Sequence, residues 1–228
     1  MRRALAALLA ACAIAAAAGC GGGSSDDRST DAATTAPSTA TAPPTAPSTA
    51  PAGDLAALLP PQDAVPGANP GEATPLPTAR AFVDALYQVD DPSRDDARAR
   101  LEDAGYADGV VRDQAGAEPE TGVALLRSYV IRLRDDDAAR GEAAAAADEV
   151  RSSPLGTSTD LEVAGVPDAQ GLRVEVSQGG VSGQVVFVTF PQGPYVYGIQ
   201  AVARQGADLP EQEVVRAAQD LAARNGSP

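Results

Sequence analysis

The chain is predicted to carry one α+β domain, an antiparallel sheet covered by helices, at the end of a long tether. Three observations predict this. Residues 171–203 alternate apolar and polar side chains between turn signals, as antiparallel strands do. Residues 78–89 and 210–224 space their apolar residues as amphipathic helices do. Residues 21–53 hold almost no large apolar side chain, so burial cannot offset the entropy of ordering them. The 228 residues therefore divide into 1–19, a segment 20–53 and a single domain 54–228.

Asp54–Leu59 reads as a short apolar turn, and Pro60–Pro77, rich in Pro and Gly, as an irregular arm. Thr78 is an N-cap for a helix to Val89, whose stripe is Phe82, Val83, Leu86 and Tyr87. Asp91 caps a second helix, Pro92–Ala104, with Ala97, Leu101 and Ala104 as its apolar side and Gly105 as its stop. A short strand passes through Val110 and Val111. Val123–Arg134 is a half-buried strand with Leu125, Tyr129, Ile131 and Leu133 on one face. Asp135-Asp136-Asp137 opens an alanine-rich helix to Ser152, its acids at the positive dipole end.

In the second half a strand is placed at Asp160–Val163, within a loop. Gly171–Ser177 and Val181–Phe190 form a hairpin about Gly179-Gly180. Val185–Val188 is apolar on both faces, which predicts a central strand. Tyr195–Ala203 is the last strand. The closing helix, Pro210–Arg224, has Val214, Val215, Ala218, Leu221 and Ala222 as its stripe. Strands, an acidic segment and a closing helix recur in both halves. An α-β-α sandwich with two related halves is one form this class can take.

Composition bounds the chemistry. All 17 basic residues are Arg, and the chain has no Lys, His or Trp. Ser-His-Asp, Cys-His and Ser-Lys groupings cannot form, and no phosphate loop with its lysine exists. Zinc sites built on His or Cys are excluded as well, and no cofactor is expected. Residues 54–228 contain 28 acids and 14 arginines, a balance that repels nucleic acid and anionic headgroups.

Met1-Arg2-Arg3 precedes an apolar run, Ala4–Ala18, too short to span a bilayer and right for a secretory signal. Ala17-Ala18-Gly19-Cys20 ends that run, and Gly21-Gly22-Gly23-Ser24-Ser25 follows. This arrangement resembles the lipobox of bacterial lipoproteins, although Ala17 stands where that family usually has Leu. The resemblance implies a diacylglyceryl group on the Cys20 thiol and cleavage before Cys20. It makes residues 1–19 a signal peptide and residues 20–53 a lipidated tether, with the membrane as partner through the lipid. The tether repeats Thr-Ala-Pro-Ser-Thr-Ala at 35–40 and 45–50, which favours extended conformations and offers sites for O-glycosylation. Element order and the Tyr195-Val196-Tyr197 pattern resemble envelope lipoproteins of high-GC Gram-positive bacteria, including some with a PsbP-like sandwich. That likeness implies no functional residues.

Two acidic groups, Asp135–Asp137 and Asp90-Asp91 with Asp95-Asp96, have the oxygen ligands a hard cation needs, but they equally suit helix capping. Tyr195 and Tyr197 suit either a partner surface or strand-to-helix packing. The expected function is that of a lipid-anchored, extracytoplasmic protein on the cell membrane. Its domain is expected to be non-catalytic and to bind an envelope protein or component. The alternatives are a carrier of an apolar ligand, which needs a large apolar cavity, and a carboxylate-dependent hydrolase, which needs two facing acids of shifted pKa.

Overall fold

The computed structural model describes residues 54–226 apart from 90, 118–121, 155, 179, 180, 204 and 205. The signal, Cys20 and the tether lie outside the described residues. Among the described residues there are seven strands: β1 (Ala73–Leu76), β2 (Asp108–Ala115), β3 (Val123–Arg132), β4 (Gly156–Leu161), β5 (Gln170–Gln178), β6 (Val181–Gln192) and β7 (Tyr195–Ala203). They pair in the order β1-β2-β3-β7-β6-β5-β4, with every neighbour antiparallel. Four α-helices accompany them, α1 (Ala79–Leu86), α2 (Arg94–Asp103), α3 (Asp136–Arg151) and α4 (Glu211–Asn225), with a 3-10 turn at Leu55–Leu58 before β1. The fold is α+β, as the sequence predicts.

Alternation along the strands sorts the core into two faces. Val186, Val188 and Phe190 of β6 join Tyr197, Ile199 and Ala201 of β7 beneath Val214, Ala218 and Leu221 of α4. The opposite parity points the other way. Val111, Tyr129, Ile131 and Val196 meet Phe82 and Val83 of α1, Leu101 of α2 and Ala139 and Ala143 of α3. Val174, Val185, Phe187 and Val202 continue that face under Ala147 and Val150 of α3. The sheet is thus a middle layer, with α1–α3 on one side and α4 on the other.

The two halves end differently. β3 and β7 are antiparallel neighbours, yet the helix after β3 crosses one face and the helix after β7 crosses the other.

Several boundaries differ from the sequence reading, each for a physical reason. Pro60–Pro77 contains a strand, β1, at the edge of the sheet, where Pro75 needs no partner for its missing N–H. β4 starts at Gly156 and ends at Leu161, because Thr157 and Thr159 pair with Glu175 and Arg173 of β5. The middle of the sheet is β7, with β6 one place out. β7 tolerates this through Gly198, over which the Tyr129 ring lies.

The arm before β1 fills the part of the sheet that α4 leaves open. Leu59 and Val65 are buried there with Val110 and Val130. Side chains grip the arm by its carbonyls. Arg112 donates to Pro60 O at 2.7 Å, Gln114 to Gln62 O at 2.8 Å and Asn69 O at 3.0 Å, and Arg224 to Leu59 O at 2.6 Å. We expect Leu59→Ala to cost about 2–4 kcal/mol, the range for emptying a buried leucine site, as read from urea unfolding. No loss of stability would show the arm to be a surface decoration.

The chain enters and leaves the described domain at one end. Asn225 Nδ2 donates to Leu58 O at 3.3 Å, and Gln192 beside the β6–β7 turn donates to Ala222 O at 3.0 Å. Arg132 and Tyr195 pair at this same end. α3 starts here and runs away from it, so Ala147 and Val150 reach Val174, Val185 and Val202 at the far ends of their strands. No helix among the described residues is long and apolar enough to cross a membrane.

Candidate functional site

Between the α1–α2 pair and α3 a crevice opens on the sheet. Phe82, Leu86, Tyr129, Ile131, Phe187 and Val196 form its apolar walls and floor, and Tyr87, Glu142, Glu149 and Gln200 supply polar groups. It encloses about 510 Å³, open solvent at the mouth included, but only about 30 Å³ of that can hold the centre of a water molecule. A water needs roughly 10–15 Å³ by that measure, so the crevice has room for about two. It is too small, as it stands, for the long apolar ligand of a carrier.

Local sequence explains how the polar groups arrive. Asp135 caps α3 by accepting from Ala138 N at 2.8 Å. That bond, then the one from Arg134, holds the Asp135 carboxyl below its usual range. From this start Glu142 and Glu149 fall seven residues apart, two turns along one side of α3, flanking the Ala143, Ala146, Ala147 and Val150 stripe. Arg100 is brought opposite by α2, whose Ala97 and Leu101 are buried. Tyr87 follows the last residue of α1.

The guanidinium of Arg100 meets Glu142 through two bonds, Nε to Oε2 at 2.8 Å and an outer nitrogen to Oε1 at 3.1 Å. The same outer nitrogen reaches Glu149 only at 3.5 Å. Glu149 also accepts from the Tyr87 hydroxyl at 3.0 Å, and Ser93 Oγ lies 3.5 Å from its other oxygen. Ser93 in turn donates Oγ–H to Asp91 at 2.7 Å and its backbone N–H to the same oxygen at 2.9 Å. Both glutamates are withdrawn from solvent, with side chains 5 % and 15 % exposed, while Arg100 is 34 % exposed.

The electrostatics follow from that geometry. Burial pushes the Glu149 carboxyl above its ordinary value. Arg100 and the Tyr87 bond oppose the shift, and Glu142 and Asp91 add to it. Burial, then the Glu149 charge, holds the Tyr87 phenol protonated well beyond its usual range. Burial alone would weaken the Arg100 proton, but the Glu142 bond and charge more than reverse this.

The sequence reading did not single out Glu142 or Glu149. Their signal is two acids seven apart on the apolar side of an alanine-rich helix. The residues it did weigh serve the fold. Asp136 and Asp137 occupy the first turn of α3, Asp95 and Asp96 the first turn of α2, and Asp91 holds Ser93. Asp90 and Cys20 lie outside the described residues. Tyr197 is buried and stacked on Phe190, with centroids 5.0 Å apart and planes 8° from parallel. Burial raises its phenol to about 12. Tyr195 packs beside it at 6.4 Å.

The loop between α1 and α2 carries Val89, which is 87 % exposed, two residues from Tyr87. Tyr87 reaches Glu149 near the α3 terminus that lies away from Asp54 and Asn225. No protein-family model matches the chain, and no curated protein matches it in sequence. Among solved structures the chain is similar to the extracellular domain of PknH from Mycobacterium tuberculosis, at 15% sequence identity and a TM-score of 0.49, over 75% of this chain and 95% of that one.

Proposed function

We propose that this chain is a lipoprotein held on the outer face of the cell membrane by lipid on Cys20, and that its domain is a non-catalytic binding module. The observation that carries this reading is the placement of the crevice. The tether joins the domain at Asp54, and the Tyr87–Glu149 side of the crevice, with Val89, lies toward the opposite end. A tether of 33 residues spans about 30 Å as a random coil, which leaves that end free to meet an envelope partner. Glu142 and Glu149 are both turned to one guanidinium nitrogen, so they support a structural joint better than the two separately aimed acids of a hydrolase.

The mature chain has no other cysteine beside Cys20, which makes a single thiol probe selective. We expect the wild-type protein in native membranes to carry an acylated N-terminal peptide by mass spectrometry. Cys20→Ala should release the protein from the membrane fraction or leave it as uncleaved precursor. Val89→Cys should give a crosslinked species with a thiol-reactive crosslinker in cells, while Gly226→Cys, at the tether end, should not. An unmodified Cys20, or crosslinking from Gly226 alone, would overturn the reading.

A further inference from the structure

Resting on the proposal that the domain is a binding module, we infer that the crevice beside Glu149 takes a small primary ammonium carried on a short apolar stem. Three observations converge on this ligand class.

First, the charges that face the crevice do not balance. Glu142 and Glu149 of α3 line it as two carboxylates, and both are served by the single guanidinium of Arg100 from α2. Arg100 spends its two short bonds on Glu142, and Glu149 receives only the 3.5 Å edge contact. Second, there is unfilled space within the same walls. About 30 Å³ is open to water-sized centres, enough for a compact ammonium head, with its stem lying toward the open mouth of the crevice. Third, the surroundings are those that hold an alkylammonium. The Tyr87 oxygen has donated its proton to Glu149 and keeps lone pairs for an N–H. Phe82 and Tyr129 supply aromatic rings to the same walls. Leu86, Val150 and Phe187 give an apolar lining along which methylenes can lie. Burial with incomplete compensation, which raises the Glu149 carboxyl, fits a site that gains from an added positive charge.

Thermal unfolding of the purified full-length protein, with n-butylammonium chloride as probe, tests this. The comparison ligands are 1-butanol, sodium butyrate and sodium chloride at matched ionic strength. We expect a saturable rise in Tm with butylammonium and none beyond the salt control with the others. Glu149→Gln should weaken the apparent Kd at least tenfold. Ala146→Leu, which fills the crevice without altering charge, should abolish the response. Equal shifts with butanol or butyrate, a response no larger than with sodium chloride, or binding that survives in both variants would overturn the inference. None of these outcomes bears on acylation of Cys20 or on crosslinking at residue 89, so the inference can fail while the binding-module reading stands.

Discussion

Gly198→Ala is expected to destabilise the protein by about 3 kcal/mol, at the upper end of the cost of overpacking a core. β7 is the middle strand, and Gly198 sits opposite Tyr129 of β3. A Cβ at this position would fall among the atoms of the Tyr129 ring. The ring is held by its neighbours. It packs against Phe82 with centroids 5.4 Å apart and planes 78° apart, it is buried, and it forms part of the crevice wall. The glycine is therefore what lets a tyrosine lie flat across the sheet beneath α1. Tyr129→Ala alone should cost about 3–5 kcal/mol as a buried aromatic truncation. In the Gly198→Ala background it should cost markedly less, because the smaller side chain removes the clash. Urea unfolding of the two single variants and the double variant completes the cycle. Additive costs would mean that the ring and the strand do not compete for the same space.

How much of this was legible beforehand depended on whether a residue acts locally. Thr78, Asp135 and Gly105 act on their own helix ends, and each does what the sequence suggests. Thr78 Oγ1 accepts from Ala81 N, Asp135 accepts from Ala138 N, and Gly105 ends α2 with φ +72°. β5, β6 and β7 were legible because alternation and turn residues mark them within a few positions. β1 was not. Pro75 and Pro77 read as breakers, and only the position at the sheet edge makes a proline strand acceptable. Arg112 and Gln114 were equally opaque, because they bond carbonyls of the arm 52 residues earlier in the chain. The crevice was the least legible feature. Glu142 and Glu149 look like the solvated side of an alanine-rich helix until α2 supplies Arg100 and α1 supplies Tyr87.

Glu142 and Glu149 should respond to neutralisation in opposite directions. Glu142→Gln is expected to cost about 2–4 kcal/mol, since removing one partner of a buried, doubly bonded pair leaves the other charge short of compensation. The partial exposure of Arg100 places the figure toward the lower part of the range seen for buried pairs. At this chain length that corresponds to a fall in Tm of about 4–16 °C. Replacing Arg100 with Met in the same variant should recover part of the loss, because no unpaired guanidinium then remains.

Glu149 carries the opposite linkage. Its folded-state pKa lies above the unfolded value, so the folded form holds the proton more tightly. Its contribution to stability is therefore complete below the unfolded value, near pH 4.5, and is lost as pH rises through the folded value. Glutamine imitates the protonated side chain at every pH, and its amide oxygen can still accept from Tyr87. Glu149→Gln should thus match wild type at pH 4 and exceed it in Tm at pH 7. Melting curves of wild type and both variants across pH 4–8 read both effects at once. A Glu149→Gln protein that loses stability at pH 7 as Glu142→Gln does would show that Arg100 serves the two carboxylates equally. The asymmetry on which the ammonium site depends would then be gone.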